Sequence, residues 1–338
     1  MKHSNISLFV PHAGCPNQCS FCNQKTISGS VKELTPEEVR AVLKKAENDK
    51  LDAKNTEVAF FGGSFTAIKR EYMISLLKEA KPFIEKGAFS GIRISTRPDA
   101  IDEEVLSILK SFYVTSIELG AQSTNDEVLK ANRRGHTKED IFNASLLIKQ
   151  YGFSLGLQMM TGLYKSTDET DIKTAEDIIS LKPDTVRIYP TIVLENTHLA
   201  ELLNSGEYSS PSLEKTVPLC ATLLEMFDRA GVKVIRLGLH SGGNVTEGYV
   251  AGPYHPAFRE LCEGEIYLKN IRKKLFEINK NEKKSENRSV IIYVNEKEIS
   301  KATGQKGKNK EALLNDGFTV TIKGAKNIDK YDILIQEN

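Results

Sequence analysis

The sequence predicts an α/β fold, a partial (β/α)6-type TIM barrel with a small α+β C-terminal extension. Three observations predict it. Short β-branched or apolar runs alternate with longer stretches of helical periodicity. Strands that are separated by helices cannot pair as hairpins, so the sheet should be parallel with right-handed crossovers. Glycine and charged residues end or follow several of the strands, where such a barrel places its functional residues.

The elements follow in order along the chain. Seven segments have the composition of strands: Ile6–Val10, Glu57–Phe61, Ile92–Ser95, Thr115–Leu119, Ser154–Met159, Thr185–Tyr189 and Lys233–Leu237. One helix should begin after Thr35, because Pro36 and two glutamates suit the first turn. Another should begin after Thr137 and end at Gly152. We therefore predict a barrel over 1–268, a charged linker over 269–289 and a small β-α-β-like unit over 290–338.

The charge of the chain is divided between two parts. The 338 residues contain 46 Lys and Arg and 45 Asp and Glu, a net charge of +1. Residues 1–268 hold 30 and 35 of these, a net of −5, and residues 269–338 hold 16 and 10, a net of +6. A basic tail on an acidic body indicates a polyanionic partner. The other interpretation is a solvated, disordered tail.

The chain has no sequence feature that indicates export or a membrane. The longest apolar run, Leu155–Leu163, is interrupted by polar residues and glycine, which excludes a membrane span there. The N-terminus has too short an apolar run for a secretory signal, and it lacks the composition of a transit peptide. We therefore expect a cytoplasmic protein with reduced thiols and no membrane partner.

Three of the five cysteines lie in one loop after the first strand, as Cys15-x3-Cys19-x2-Cys22. Thiolates at this spacing can wrap one face of an iron–sulfur cluster, and three ligands leave one iron free for another ligand. Zinc is the competing interpretation, since His12 would complete a Cys3His set. Cys220 and Cys262 are isolated, and we expect them to be buried structural thiols.

Several further motifs accompany this loop in order. They are Phe60-Phe61-Gly62-Gly63-Ser64-Phe65, Ser95-Thr96-Arg97-Pro98-Asp99, Glu118-Leu119-Gly120-Ala121-Gln122-Ser123, Asn132-Arg133-Arg134-Gly135-His136-Thr137 and Arg187-Ile188-Tyr189-Pro190-Thr191. With the cysteine loop they resemble the radical S-adenosylmethionine superfamily, and in order and spacing they are similar to the radical domain of the Elongator catalytic subunit. The resemblance covers residues 5–275, about four-fifths of the chain.

The resemblance implies a 4Fe–4S cluster on Cys15, Cys19 and Cys22 and a reductive cleavage of S-adenosylmethionine to a 5′-deoxyadenosyl radical. It also implies an electron donor such as flavodoxin or ferredoxin. The residues expected to contact S-adenosylmethionine are Phe21, Gly62, Gly63, Ser64, Arg97, Glu118, Gln122, Arg133, Arg134 and Gln158. Among these, Glu118 would accept from ribose hydroxyls. One or more of the arginines would clamp a carboxylate.

Two departures from the Elongator pattern bear on the reaction. Ser64 stands where many superfamily members have an acidic residue. After residue 275 about 60 residues remain, too few for the acetyltransferase domain of that subunit. We therefore expect a transferase that lacks that domain, and the sequence does not identify the group that it transfers.

The basic tail contains a Gly-x-x-Gly sequence, Gly304-Gln305-Lys306-Gly307. This segment resembles the core of a KH domain, in which such a loop between two helices clamps a nucleic-acid backbone. The resemblance implies RNA binding, and the residues expected to contact phosphates are Gly304, Lys306, Gly307, Lys308 and Lys310. A solvated basic hairpin is the alternative.

These observations favour a radical S-adenosylmethionine enzyme that modifies RNA, with transfer RNA as the expected substrate. A radical enzyme acting on a small molecule such as a tetrapyrrole is the second hypothesis. A non-catalytic RNA-binding adaptor that carries a metal is the third, and metal analysis separates it from the others.

Overall fold

The structure, a computed structural model, describes residues 4–10, 18–23, 32–49, 51–239, 248–279 and 288–337. Its first nine strands are β1 (Ser4–Val10), β2 (Thr56–Gly62), β3 (Ile92–Thr96), β4 (Val114–Gln122), β5 (Ser154–Thr161), β6 (Thr185–Pro190), β7 (Val193–Leu194), β8 (Lys233–Leu237) and β9 (Tyr249–Ala251). Seven of them form one parallel sheet in the order β1-β2-β3-β4-β5-β6-β8. The fold-class prediction is confirmed, and each of the seven predicted strands is present.

Helices connect the strands and cover one face of the sheet. They are α1 (Pro36–Asn48), α2 (Arg70–Glu85), α3 (Glu103–Ser111), α4 (Asp126–Ala131), α5 (Lys138–Gln150), α6 (Asp168–Ser180), α7 (His198–Asn204), α8 (Leu213–Arg229) and α9 (Phe258–Asn279). Thr35 and Thr137 cap α1 and α5 with reciprocal capping boxes, as their sequences predict. Nowhere in the described part of the chain is a helix both long and apolar enough to cross a bilayer.

The two faces of the sheet differ in chemistry. Apolar side chains such as Phe60, Ile94 and Leu157 are buried in the main core, which the flanking helices complete. The register aligns polar and small residues on the other face, where Ser95 lies beside Glu118 and Glu118 beside Gly156. Because this second face is the concave one, its side chains line a lumen, and we call it the inner face. It continues to the carboxyl ends of the strands.

The C-terminal extension is a three-stranded sheet with two short helices. It consists of β10 (Arg288–Asn295), α10 (Ile299–Thr303), α11 (Lys308–Asn315), β11 (Phe318–Ala325) and β12 (Leu334–Glu337). Strand β10 lies in the middle, parallel to β11 and antiparallel to β12. The unit is thus larger than the β-α-β piece that the sequence indicates, since it has a second helix and a third strand.

The predicted linker differs from the structure over residues 269–279. These residues are the last half of α9, with Ile271 and Leu275 buried in the main core. Helix α9 also carries the extension: the Asn270 amide and the Lys274 ammonium donate to the carbonyls of Tyr331 and Ile333. Residues 280–287, the rest of the predicted linker, lie outside the described residues.

A buried amide joins the extension to α9. Asn309 Nδ2 donates to the Gly264 carbonyl at 2.8 Å and to the Ala302 carbonyl at 3.1 Å. We expect Asn309→Ala to lower the free energy of unfolding by about 1–3 kcal/mol in urea titrations, because both bonds are lost in a buried place. Asn315→Ala, on the same helix but exposed, should change it by less than about 0.5 kcal/mol. Equal effects of the two substitutions would contradict the prediction.

Candidate functional site

The cysteine loop follows β1 at the carboxyl edge of the sheet. Cys19 is buried and Cys22 is partly buried. Cys15, the third predicted cluster ligand, and His12, the residue of the zinc alternative, lie outside the described residues. Among the residues that are described, no three or more metal-binding side chains form a group. The full ligand set thus remains a prediction from the spacing.

The Asn-Arg-Arg segment after α4 holds this loop in place. The Ser20 backbone amide donates to the Asn132 carbonyl at 3.1 Å, and the Ser20 hydroxyl donates to Asn132 Oδ1 at 2.7 Å. Arg134 Nη1 donates to Cys19 Sγ at 3.0 Å, and its Nη2 donates to the Gly120 carbonyl. A guanidinium against the sulfur suits a cysteine that acts as a thiolate ligand. The segment therefore positions the loop and supplies it with positive charge.

The three predicted carboxylate clamps have different surroundings. Arg97 is buried, makes a bidentate pair with Asp99 and donates to the Arg134 carbonyl at 2.6 Å. Arg134 is buried against Cys19, as described above. Arg133 is exposed and adopts a left-handed backbone conformation, with φ at +55°. Arg97 therefore supports Arg134, and the clamping of a carboxylate remains a prediction for all three.

The glycine motif lies directly beside β1. Gly62 has φ at +122°, and a Cβ on it would lie 2.3 Å from the Val10 carbonyl oxygen. The Gly63 amide donates to that same oxygen at 3.2 Å, and Ser64 is buried. The close approach that requires glycine at position 62 is thus an approach to the neighbouring strand. The predicted contact with S-adenosylmethionine is a separate expectation.

We expect Gly62→Ala to displace the end of β1, where the cysteine loop begins. Anaerobic reconstitution followed by iron analysis should show less iron per chain. The melting temperature should also fall, and the free energy of unfolding should decrease by more than about 1 kcal/mol. Gly87→Ala is the matched control, because Gly87 also has a positive φ, +76°, but nothing lies within 4 Å of the added Cβ. If both variants keep the same iron content, the contact with β1 has no role in holding the loop.

Glu118 is the centre of a charged network on the inner face. The Arg187 guanidinium makes a bidentate pair with it, Nε to Oε2 at 2.8 Å and Nη2 to Oε1 at 2.9 Å. Arg93 Nη1 donates to Oε1 at 2.9 Å, and Gln158 Nε2 donates to Oε2 at 3.1 Å. Arg93 also pairs with Glu57 at 2.8 Å. Both oxygens of Glu118 therefore accept hydrogen bonds from protein groups. The sequence predicts only that Glu118 accepts from ribose hydroxyls, and it does not predict this network.

The sequence motifs alone indicate no role for Arg93 or Arg187. Arg187 begins one of the motifs named above, whereas the signal for Arg93 is a charged residue inside a strand whose neighbours are apolar. Their partners follow from the sheet register, which brings Gln158 beside Arg187. Burial lowers the pKa of Arg187, but the charge of Glu118 and the contacts with Tyr189 together raise it above the ordinary value, so this guanidinium is charged.

Several buried polar atoms at the carboxyl edge have no hydrogen-bond partner among the described residues. They are Ser95 Oγ, Gln122 Oε1, Arg134 Nε, His136 Nδ1 and Thr191 Oγ1. Burial, and then the charge of Arg134, lower the pKa of His136 to about 4, so this ring is neutral at pH 7. Unpartnered buried polar atoms are uncommon in folded proteins. Their presence here fits an edge that contacts a polar cofactor.

Phe21 and the two isolated cysteines belong to apolar surroundings. Phe21 packs against a second, smaller core that includes Val193 and Leu199, and its ring lies 5.9 Å from the Arg134 guanidinium. Cys220 and Cys262 are buried in the main core, as expected for structural thiols, and burial raises the pKa of both. The adenine contact of Phe21 remains a prediction.

Comparison with known proteins agrees with this geometry. Residues 9–178 match the model of the radical SAM superfamily, and residues 183–268 match that of the radical SAM C-terminal domain. A tRNA uridine(34) acetyltransferase of Methanocaldococcus infernus is 30% identical over 252 residues, which are 63% of this chain and 47% of that protein. Human Elongator complex protein 3 is 30% identical over 190 residues, 50% of this chain and 35% of that protein.

The fold is also that of a solved relative. The structure of an archaeal Elp3 from Methanocaldococcus infernus superimposes with a TM-score of 0.62 at 23% identity, and covers 81% of this chain and 64% of that one. The chain spans about half the length, or less, of the curated relatives named here. The superfamily model covers more than half of the chain and includes the cysteine loop, the glycine motif and Glu118. The chain therefore belongs to the radical S-adenosylmethionine superfamily.

Proposed function

We propose that this radical S-adenosylmethionine enzyme modifies a base of transfer RNA. The observation that carries the proposal is the similarity of the barrel to proteins named tRNA uridine(34) acetyltransferase, at 26–32% identity in three prokaryotic relatives. The similarity spans about half of those proteins or less. We therefore propose the class of substrate, transfer RNA, and do not assign the group that is transferred.

The superfamily implies a 4Fe–4S cluster and S-adenosylmethionine, and the residues at the carboxyl edge fit them. Cys19 and Cys22, with Cys15, would hold the cluster. When bound, the two cofactors would supply the one-electron chemistry for a radical reaction on the substrate. The positively charged guanidinium of Arg134 donates to the Cys19 sulfur at 3.0 Å. We also propose that the protein acts in the cytoplasm and that it receives electrons from a donor such as flavodoxin or ferredoxin.

The protein's own residues then have three tasks. The Asn132 carbonyl and side chain keep the cysteine loop against the carboxyl edge through Ser20. The pair of the buried Glu118 and the partly buried Arg187 keeps the inner face charged and ordered below that edge. The barrel wall separates the reacting atoms from bulk water, which protects a reactive intermediate from side reactions.

The Gly-x-x-Gly loop of the extension supports an RNA substrate. It lies between α10 and α11, and Gly304 and Gly307 have φ values of +76° and +79°. Lys306, Lys308 and Lys310 are exposed around it. Backbone amides and ammonium groups placed in this way can contact phosphates without reading the base sequence. We propose that the loop binds the RNA while the carboxyl edge of the barrel receives the base.

The proposal is tested on nucleosides. Mass spectrometry of transfer RNA from cells with and without the gene should show one nucleoside that depends on the protein. Replacing Lys306, Lys308 and Lys310 by glutamine should weaken binding of transfer RNA at least about tenfold and leave the iron content unchanged. A control that removes three exposed lysines of the barrel helices, Lys44, Lys78 and Lys130, should bind normally. Identical nucleoside profiles and undiminished binding would refute the proposal.

A further inference from the structure

The inner face of the barrel is a continuous charged lumen. Contacts cross it between strands that are not neighbours: Arg187 on β6 reaches Glu118 on β4, and its guanidinium lies 5.7 Å from the Phe61 ring on β2. The next strand, β8, places Arg236 directly beside Arg187 in the register. Arg236 therefore lies on the same lumen, at the same level as the Glu118 network.

The charges on this face do not balance. Three arginines, Arg93, Arg187 and Arg236, share it with two glutamates, Glu57 and Glu118. Arg93 bridges both carboxylates, and Arg187 occupies Glu118 with a bidentate pair. No carboxylate in the described part of the chain pairs with Arg236. Within the described ranges, one positive charge thus has no counter-ion.

Arg236 uses few of its donors. Its Nε donates to the Gly238 carbonyl at 3.1 Å, and its two terminal nitrogens have no hydrogen-bond acceptor among the described residues. The side chain is partly buried. Burial lowers the pKa of Arg236, the neighbouring Tyr189 opposes this, and the positive charge of Arg187 lowers it further. A half-buried guanidinium whose two terminal nitrogens bind no described residue has the fork that binds an oxyanion in bidentate form.

We propose that Arg236 binds a phosphate group of the RNA nucleotide that is modified, and so positions that nucleotide in the lumen. The identity of the anion rests on the proposed function, whereas the existence of an oxyanion site rests on the free guanidinium. Tyr189, two residues after Arg187 on β6, lies near Arg187 and Arg236, and burial raises the pKa of its phenol. The phenol is therefore neutral and leaves the site positive.

The test compares Arg236→Gln and Arg236→Lys with the parent protein, all of them loaded with the cluster. Arg229→Gln is the matched control, because Arg229 is an exposed arginine of α8 paired with Glu225. Fluorescence anisotropy should show about tenfold weaker binding of transfer RNA for Arg236→Gln. The slope of the logarithm of affinity against the logarithm of salt concentration should be smaller in magnitude by about one, as expected for one lost phosphate contact. Arg236→Lys keeps the charge and should keep the salt dependence. Arg229→Gln should resemble the parent protein.

Two further measurements identify the source of the anion. Inorganic phosphate, compared with chloride at equal ionic strength, should raise the melting temperature of the parent protein and of Arg229→Gln more than that of Arg236→Gln. Calorimetric titration with S-adenosylmethionine should give the same affinity for all variants. A loss confined to S-adenosylmethionine would overturn the RNA assignment.

The outcomes separate this inference from the proposed function. If the parent protein binds no RNA but its phosphate response depends on Arg236, the proposed function fails and the oxyanion site stands. If RNA binding and the phosphate response are the same in Arg236→Gln and in the parent protein, the oxyanion site is refuted whatever the substrate is. Circular dichroism confirms that each variant is folded. If the glutamine variant is not, Arg236→Lys provides the test, because it loses the bidentate fork and should lower the phosphate response.

Discussion

Replacing Cys19 or Cys22 by serine is expected to remove the iron from the protein. With three predicted thiolate ligands on one short loop, the loss of any one leaves a cluster iron without its ligand. Iron analysis after anaerobic reconstitution should show a large loss, with the visible absorption of the cluster lost as well. Release of 5′-deoxyadenosine from S-adenosylmethionine under dithionite should fall at least about a hundredfold.

The matched control is a cysteine outside the loop. Cys220 is buried in the main core, so Cys220→Ala should keep its iron and lose only stability. Arg134→Met tests the contact with Cys19: iron should remain, but the cluster spectrum and its midpoint potential should shift, because a charged donor to the sulfur is lost. Full iron content in Cys19→Ser would show that the loop does not hold the cluster. Zinc in place of iron would favour the metal-bearing adaptor.

The sheet was predictable because each strand is a local pattern. Segments such as Thr185–Tyr189 alternate apolar and polar residues between helical stretches, and each lies within the strand that the structure shows. The same holds for the caps, since the Thr35 hydroxyl and the Glu38 carboxylate act within one turn. The cysteine loop, too, is recognised from spacing alone. In each case the decisive residues are close in sequence.

The partners of the site residues were not predictable in this way. Glu118 and Arg187 are 69 residues apart, and their pairing depends on the order and register of the strands between them. Arg134 reaches Cys19 across 115 residues. The second half of α9 was missed for a similar reason. Only a narrow apolar stripe, Ile271 and Leu275 among charged residues, marks it as a helix, and the docked extension completes its burial.

The second large effect is expected at Glu118. The Glu118 side chain is 1% exposed and accepts from two guanidinium groups. Glu118→Gln therefore leaves Arg187, which is partly buried, without this carboxylate, and leaves the buried Arg93 with Glu57. Breaking a buried ion pair on one side costs about 3–5 kcal/mol. Urea titrations should therefore show a fall of that size in the free energy of unfolding. The double variant Glu118→Gln, Arg187→Met should recover part of it, because the unpaired charge is removed as well.

A surface pair of the same shape is the control for this prediction. Arg40 binds Glu79 in bidentate form, Nε to Oε2 at 2.6 Å and Nη2 to Oε1 at 2.8 Å, but both side chains contact solvent. Glu79→Gln should therefore cost less than about 1 kcal/mol, since water replaces the lost partner. The comparison also tests the ribose expectation. If Glu118→Gln leaves stability unchanged and weakens only S-adenosylmethionine binding, Glu118 is a cofactor contact rather than the centre of the inner-face network.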